Sequence, residues 1–116
     1  MDLQKLTQLL EKGRDSALLR FGLGQGYLTA GDHGSAAEHL ARCVEMDPGY
    51  SAAWKLLGKA YREGGQFDAA RLAWESGVAA AQKRGDKQAE KEMTVFLKRL
   101  AKDAAAPGRD ERGSGG

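Results

Sequence analysis

The stretch from Trp54 to Tyr61 reads WKLLGKAY, a run of helix-forming residues with a glycine in its middle. A shift of 34 residues along the chain places LGQGY at 23–27 over LGKAY at 57–61. The same shift superimposes three later pairs: Gly31 on Gly65, Ala36 on Ala70 and Leu40 on Trp74. The members of each pair are identical or alike in size, so the chain contains a repeated unit.

The rest of the chain also reads as helix. Alanine, leucine, glutamate and lysine dominate it, and no segment alternates apolar and polar residues as a strand would. Glycines and one proline divide it into six predicted helices. They form a helix at 2–12, repeats of two helices each at about 17–50 and 51–84, and a helix at 87–103. Residues 104–116, AAAPGRDERGSGG, are predicted to be a disordered tail.

The second repeat resembles the tetratricopeptide repeat, because it carries W-x2-L-G-x2-Y at 54–61 and then A-x3-W at 70–74. Trp74 replaces the usual phenylalanine, Gln82 replaces the closing proline, and the first repeat has Arg20 in place of the tryptophan. The resemblance implies an all-α fold, a right-handed superhelical stack of antiparallel helix pairs (an α-solenoid). It makes helix 2–12 half a repeat and helix 87–103 a cap.

The composition is that of a small soluble domain. The chain has 116 residues and a net charge of +2, which is too balanced to predict binding to nucleic acid or an anionic membrane. Cys43 is the only cysteine, so no disulfide can form within the chain. The N-terminus lacks the features of a secretory signal, and no apolar run approaches the roughly 18 residues of a membrane span. We therefore expect a cytoplasmic protein with no membrane partner.

The glycines of FGLGQGYLTAG, residues 21–31, raise the alternative of a phosphate-binding loop. No strand precedes them, and no Gly-Lys-Ser/Thr follows, so that alternative is disfavoured. Two of them have larger counterparts in the second repeat: Gly22 opposite Leu56, and Gly26 opposite Ala60. Each costs about 1 kcal/mol relative to alanine inside a helix. Either the two glycines have no specific role and the helix tolerates them, or the missing side chain at Gly22 widens the floor of a groove.

The sequence predicts no enzyme. His39 and Cys43 are four residues apart on one helix, but two ligands fall short of the three or four that zinc needs. The repeat requires a small residue at Cys43, so we expect a buried packing thiol. No nucleophile–base pair or metal-ligand spacing is present. We expect no catalytic residue, no metal or cofactor and no small-molecule substrate.

The resemblance implies that the first helix of each repeat lines a groove for a peptide. The groove positions would be Leu18, Phe21, Gln25 and Leu28 in the first repeat, and Ala52, Lys55, Lys59 and Arg62 in the second. The spacing of Lys55, Lys59 and Arg62 itself places three positive charges on one side of a helix. An acidic peptide with an apolar anchor, or a C-terminal carboxylate, suits such a groove. The chain contains no asparagine, whereas some family members hold a carboxylate with lysines, an arginine and asparagines.

Three alternatives stay open beside a peptide-binding scaffold or adaptor. Lys55, Lys59 and Arg62, which we call the basic stripe, could be an ordinary solvated surface. The chain could self-associate as a homo-oligomer through apolar residues of helix 87–103: Met93, Phe96, Leu97 and Leu100. Weak nucleic-acid binding could use a basic run interrupted by Asp86, Glu90 and Glu92, and it is the least favoured. That run comprises Lys83, Arg84, Lys87, Lys91, Lys98, Arg99 and Lys102.

Overall fold

The computed structural model describes residues 2–105, which form six α-helices and no strand. The helices are α1 (Leu3–Glu11), α2 (Ala17–Thr29), α3 (His33–Met46), α4 (Ser51–Glu63), α5 (Phe67–Arg84) and α6 (Lys87–Ala105). The predicted all-helical repeat stack is confirmed. Helix α6 runs two residues beyond its predicted end at 103, and residues 106–116 of the predicted tail lie outside the described residues.

Short polar residues and glycines set the helix ends. The side chains of Asp2, Ser16 and Asp32 each accept a hydrogen bond from a backbone N–H in the first turn of the helix that follows. The turns after α1, α2, α4 and α5 contain glycines with φ between 74° and 84°: Gly13, Gly31, Gly65 and Gly85. This left-handed conformation costs glycine little, so each chain reversal is encoded locally.

The helices stack in chain order, each packed on the next, in a body of 52 × 34 × 19 Å. Helix α4 also contacts α2 on one side and α6 on the other. We call the surface formed by these three helices the α2–α4–α6 face. Helix α1 contacts α2 and no other described helix. Its Leu6 is buried, while Leu9 stays 39% exposed because α1 is short and has a single neighbour.

Two glycines lie at contacts between paired helices where a side chain would not fit. A Cβ on Gly24 would collide with the side chain of Leu40, and a Cβ on Gly58 would collide with the indole of Trp74. The Trp74 Nε1–H donates to the carbonyl oxygen of Lys55 at 3.0 Å, so the ring is held in place by a hydrogen bond as well as by packing. Gly24 and Gly58, which coincide in the 34-residue alignment, therefore occupy equivalent helix–helix contacts.

Candidate peptide-binding face

The four groove positions predicted on α2 differ in how exposed they are. Leu18 is 72% exposed, and Gln25 is also exposed. Phe21 is half-buried, and its ring stacks on Tyr50 at 4.9 Å between centroids. Leu28 is half-buried against the central core. The structure therefore leaves Leu18 and one side of Phe21 open, and it uses Leu28 partly for packing.

An open groove of about 990 Å³ lies beside α2 and brings three of these residues together with α1. Leu18, Phe21 and Gln25 line it, and Leu28 does not. Its other lining residues include Leu3, Leu6 and Leu9 of α1, with Arg14 and Tyr50 from the connecting segments. We call this the α1–α2 groove. Arg14 is its charged residue, and it makes no ion pair with any described residue.

The glycines Gly22 and Gly26 receive the leucines of α1 and also line the groove. A Cβ on Gly26 would lie 2.7 Å from Leu3 Cδ2, and a Cβ on Gly22 would lie 3.3 Å from Leu6 Cδ1. These distances are shorter than ordinary carbon contacts, so a larger residue at either position would force Leu3 or Leu6 to shift. The two glycines thus have a packing role, which neither sequence-based alternative included.

The basic stripe of α4 is largely neutralised by acidic neighbours. Lys55 Nζ lies 2.8 Å from Glu92 Oε1, and Arg62 Nη2 lies 3.6 Å from Asp103 Oδ2, both on α6. The hydrogen bond from Lys55 lowers the pKa of Glu92, so this carboxylate stays charged at neutral pH. Lys59 is the open member, because its side chain is 56% exposed and reaches Glu63 at 4.0 Å.

Helix α6 extends the α2–α4–α6 face with residues that the sequence analysis did not assign to it. Its buried residues Ala89 and Met93 repeat the spacing of Ala53 and Leu57 in α4. On this match, Lys91, Val95 and Lys98 fall where α4 has Lys55, Lys59 and Arg62, and all three are exposed. They were missed because α5 has 18 residues against 14 in α3, which shifts α6 out of the repeat period.

The titratable residues inside the stack have structural partners. Arg20 donates to His39 Nδ1 at 3.1 Å and pairs with Asp15 at 2.8 Å, while the His39 ring stacks on Tyr27 at 5.5 Å. Burial, with Arg20 nearby, lowers the pKa of His39. Burial likewise raises the pKa of the Cys43 thiol to about 11, and Cys43 is fully buried, which confirms the packing role.

The described residues contain neither a cluster of metal ligands nor a membrane-spanning helix. No three His, Cys, Asp or Glu side chains come together there in a way that could hold a metal ion. None of the described helices combines the length and apolar character that crossing a bilayer requires.

The residues behind the two remaining alternatives are partly engaged. Met93 and Leu100 are buried, and Phe96 packs on Trp74 at 5.2 Å, so these apolar side chains of α6 serve the chain's own core. Within the basic run, Arg84 pairs with Asp47 at 3.4 Å. The acidic residues that interrupt the run are engaged as well, since Asp86 accepts from Ser51 and Glu92 accepts from Lys55.

Comparison with known proteins places this stack in a family. The family model described as tetratricopeptide repeat matches residues 27–91, from within α2 to within α6. The chain belongs to the tetratricopeptide repeat family. The resemblance inferred from the sequence is confirmed, and tetratricopeptide repeat proteins generally act in protein–protein interaction rather than catalysis.

Two relatives show how far the tetratricopeptide likeness extends. A tetratricopeptide repeat-containing protein of Pseudomonas aeruginosa is 64% identical over 100 residues, which cover 86% of this chain and 95% of that protein. A heat-shock protein cognate co-chaperone of Aspergillus fumigatus is 33% identical over 121 residues. That alignment covers 95% of this chain and 35% of the co-chaperone.

Solved structures share the tetratricopeptide stack. The solution structure of a protein from Bordetella parapertussis matches with a TM-score of 0.79 and 45% identity, over 94% of this chain and 95% of that one. A tetratricopeptide repeat domain protein from Salinibacter ruber matches with a TM-score of 0.69 and 23% identity, over 75% and 97% of the two chains. The second likeness bears on the fold alone.

Proposed function

We propose that this chain is a non-catalytic adaptor that binds a peptide segment of a protein partner along the α2–α4–α6 face. The observation that carries the proposal is the α1–α2 groove, an apolar depression of about 990 Å³ at one end of that face. Leu18 lines the groove and is 72% exposed. Its apolar surface contributes little to the stability of the isolated chain, and an apolar side chain of a bound peptide would bury it.

The α1–α2 groove lies where one further helix would continue the stack before α1. Helices α4 and α6 each pack against the preceding helix pair, while α1 and α2 meet no such neighbour among the described residues. A helical or extended segment from a partner, with one large apolar anchor, fits this opening. Arg14 at the groove adds positive charge for an acidic residue beside the anchor.

A carboxylate clamp of the kind that some family members use is not part of this proposal. Such clamps use asparagines, and this chain has none. Two cations of the α4 stripe, Lys55 and Arg62, already have carboxylate partners on α6. The likeness to the co-chaperone of Aspergillus fumigatus therefore supports a protein-binding role for this chain, but it does not indicate which ligand is bound.

The test is selection of displayed random peptides on the wild-type protein, followed by measurement of their affinities for two variants. Leu18→Gln should weaken binding by about tenfold or more, because an apolar anchor loses part of its buried contact. Leu72→Gln is the matched control, since Leu72 is 56% exposed on α5, which is not part of the α2–α4–α6 face. Equal affinities for both variants, or no selected peptide, would overturn the proposal.

A further inference from the structure

Helix α6 carries an exposed row of three lysines and one valine on the side away from its core. Lys91, Val95, Lys98 and Lys102 are separated by four, three and four residues, which places them along one side of a helix. All four are exposed, and Val95, between two lysines of the row, is 40% exposed. Lys91, Lys98 and Lys102 make no ion pair with any described residue.

The acidic residues of α6 are committed to other contacts. Glu92 pairs with Lys55 at 2.8 Å, and Asp103 pairs with Arg62 at 3.6 Å. Glu90 accepts a hydrogen bond from the Gln82 amide of α5 at 3.0 Å. In the sequence these acids interrupt the basic run, whereas in the structure they turn toward α4 and α5. The lysine row is left without an acidic partner among the described residues.

The α6 row continues the α2–α4–α6 face. Because Met93 matches Leu57 in the packing, Lys91, Val95 and Lys98 occupy the positions on α6 that Lys55, Lys59 and Arg62 occupy on α4, and Lys102 follows about one turn later. Glu92 and Asp103 neutralise two of those α4 cations, so unpaired positive charge on this face lies mainly on α6. The face thus changes from apolar beside α1 and α2 to basic at α6.

We propose that the α6 row, Lys91, Val95, Lys98 and Lys102, binds an acidic segment of a protein partner. This inference rests on the proposed function, since it names the chemistry of the partner at the other end of the same face. Unpaired lysines complement an acidic chain, and the exposed Val95 between them suits an apolar residue within it. The aromatic residue of α6, Phe96, packs on Trp74, so α6 offers no stacking surface for nucleic-acid bases.

The test measures fluorescence anisotropy of a fluorescein-labelled peptide of glutamates with a central leucine, in about 50 mM NaCl, where screening is weak. Lys91→Glu/Lys98→Glu should weaken binding by about tenfold or more, because two attractive contacts become repulsive. Lys5→Glu/Lys12→Glu is the matched control. It makes the same change in net charge at two exposed lysines that are also seven residues apart, Lys5 on α1 and Lys12 at its C-terminal end. It should change affinity less than about threefold.

Each result decides the inference. An equal loss in both variants would mean that net charge alone attracts the peptide, and no loss in either would mean that α6 is not involved; both overturn it. Tighter binding of a single-stranded oligonucleotide, abolished by Lys91→Glu/Lys98→Glu, would assign the row to nucleic acid instead. If selected peptides depend on Leu18 but not on the α6 row, this inference fails alone. If the row matters and Leu18 does not, the proposed groove fails and the α6 site stands.

Discussion

Gly58 of α4 lies directly against the indole of Trp74 of α5, which occupies the volume that a side chain at this position would need. Trp74 is 2% exposed and is fixed by its hydrogen bond to the carbonyl of Lys55. A rigid, buried ring cannot move aside as the end of a flexible side chain can. The repeat motif therefore requires glycine at this residue for a packing reason.

Gly58→Ala should destabilise the fold by about 1–3 kcal/mol through overpacking against Trp74, despite the better helix propensity of alanine. Gly34→Ala is the control, because a Cβ there meets nothing closer than Asp32 Oδ1 at 3.9 Å. We expect the control to be neutral or up to about 1 kcal/mol more stable. Urea unfolding of both variants measures the difference, and two equal free energies of unfolding would contradict the packing explanation.

His39 should make stability depend on pH below neutrality. Burial and Arg20 lower its pKa in the folded state, so the unfolded chain binds the proton first as pH falls below about 6.5. The free energy of unfolding should therefore decrease from pH 7 toward pH 5 until the folded-state pKa is reached. His39→Gln should flatten this slope, and an unchanged slope in that variant would show that another group is responsible.

Helix α1 is held by two glycines of its neighbour. Leu3 and Leu6 approach Gly26 and Gly22 of α2, which is the one described helix that α1 contacts. Helix α1, which forms one wall of the α1–α2 groove, is thus held by two glycines that lower the helix propensity of α2. The groove and the attachment of α1 share the same pair of positions.

Gly26→Ala should loosen α1 and tighten α2. The new methyl group would lie 2.7 Å from Leu3 Cδ2, so Leu3 must shift, while α2 gains about 1 kcal/mol of helix propensity. Hydrogen exchange should become roughly five- to tenfold faster at the amides of α1 and stay unchanged in α4 and α5. Gln25→Ala alters an exposed neighbour and should leave α1 as it is; equal protection of α1 in both variants would contradict this account.

Local signals explain why the helices could be predicted and the site only in part. Left-handed glycines such as Gly31 and Gly65 mark chain reversals in the sequence, and the glycine–tryptophan contact follows from the repeat. The partners of Lys55 and Arg62 could not be predicted, because they lie on α6, and the length of α5 moves α6 out of the period. The sequence gives a weaker indication of the α1–α2 groove: Gly22 and Gly26 are smaller than their counterparts Leu56 and Ala60 in the second repeat.

The whole stack is a line of neighbours, so its two ends need not be equally stable. Helix α1 has 9 residues and one neighbour, whereas α6 has 19 residues and contacts both α4 and α5. Helix α2, which carries α1, contains three glycines in its interior. The end that bears the apolar part of the proposed site is therefore the weaker end.

Hydrogen exchange of the wild-type chain should reveal this gradient. Amides of α1 should exchange first, those of α2 next, and those of α4 and α5 last, because protection follows the number and size of packed neighbours. A bound peptide with an apolar anchor should slow exchange in α1 and α2 more than elsewhere. Uniform protection across all six helices would instead indicate one cooperative unit.

The placement of Trp54 and Trp74 has an optical consequence. Both indoles belong to the second repeat, where Trp74 is buried beside Phe96 and Trp54 donates to the carbonyl oxygen of Pro48 at 2.8 Å. Intrinsic emission should therefore report on the C-terminal half of the stack, while far-ultraviolet circular dichroism sums all the helices. If the weaker end melts first, ellipticity should begin to fall at a lower temperature than the emission begins to shift to the red.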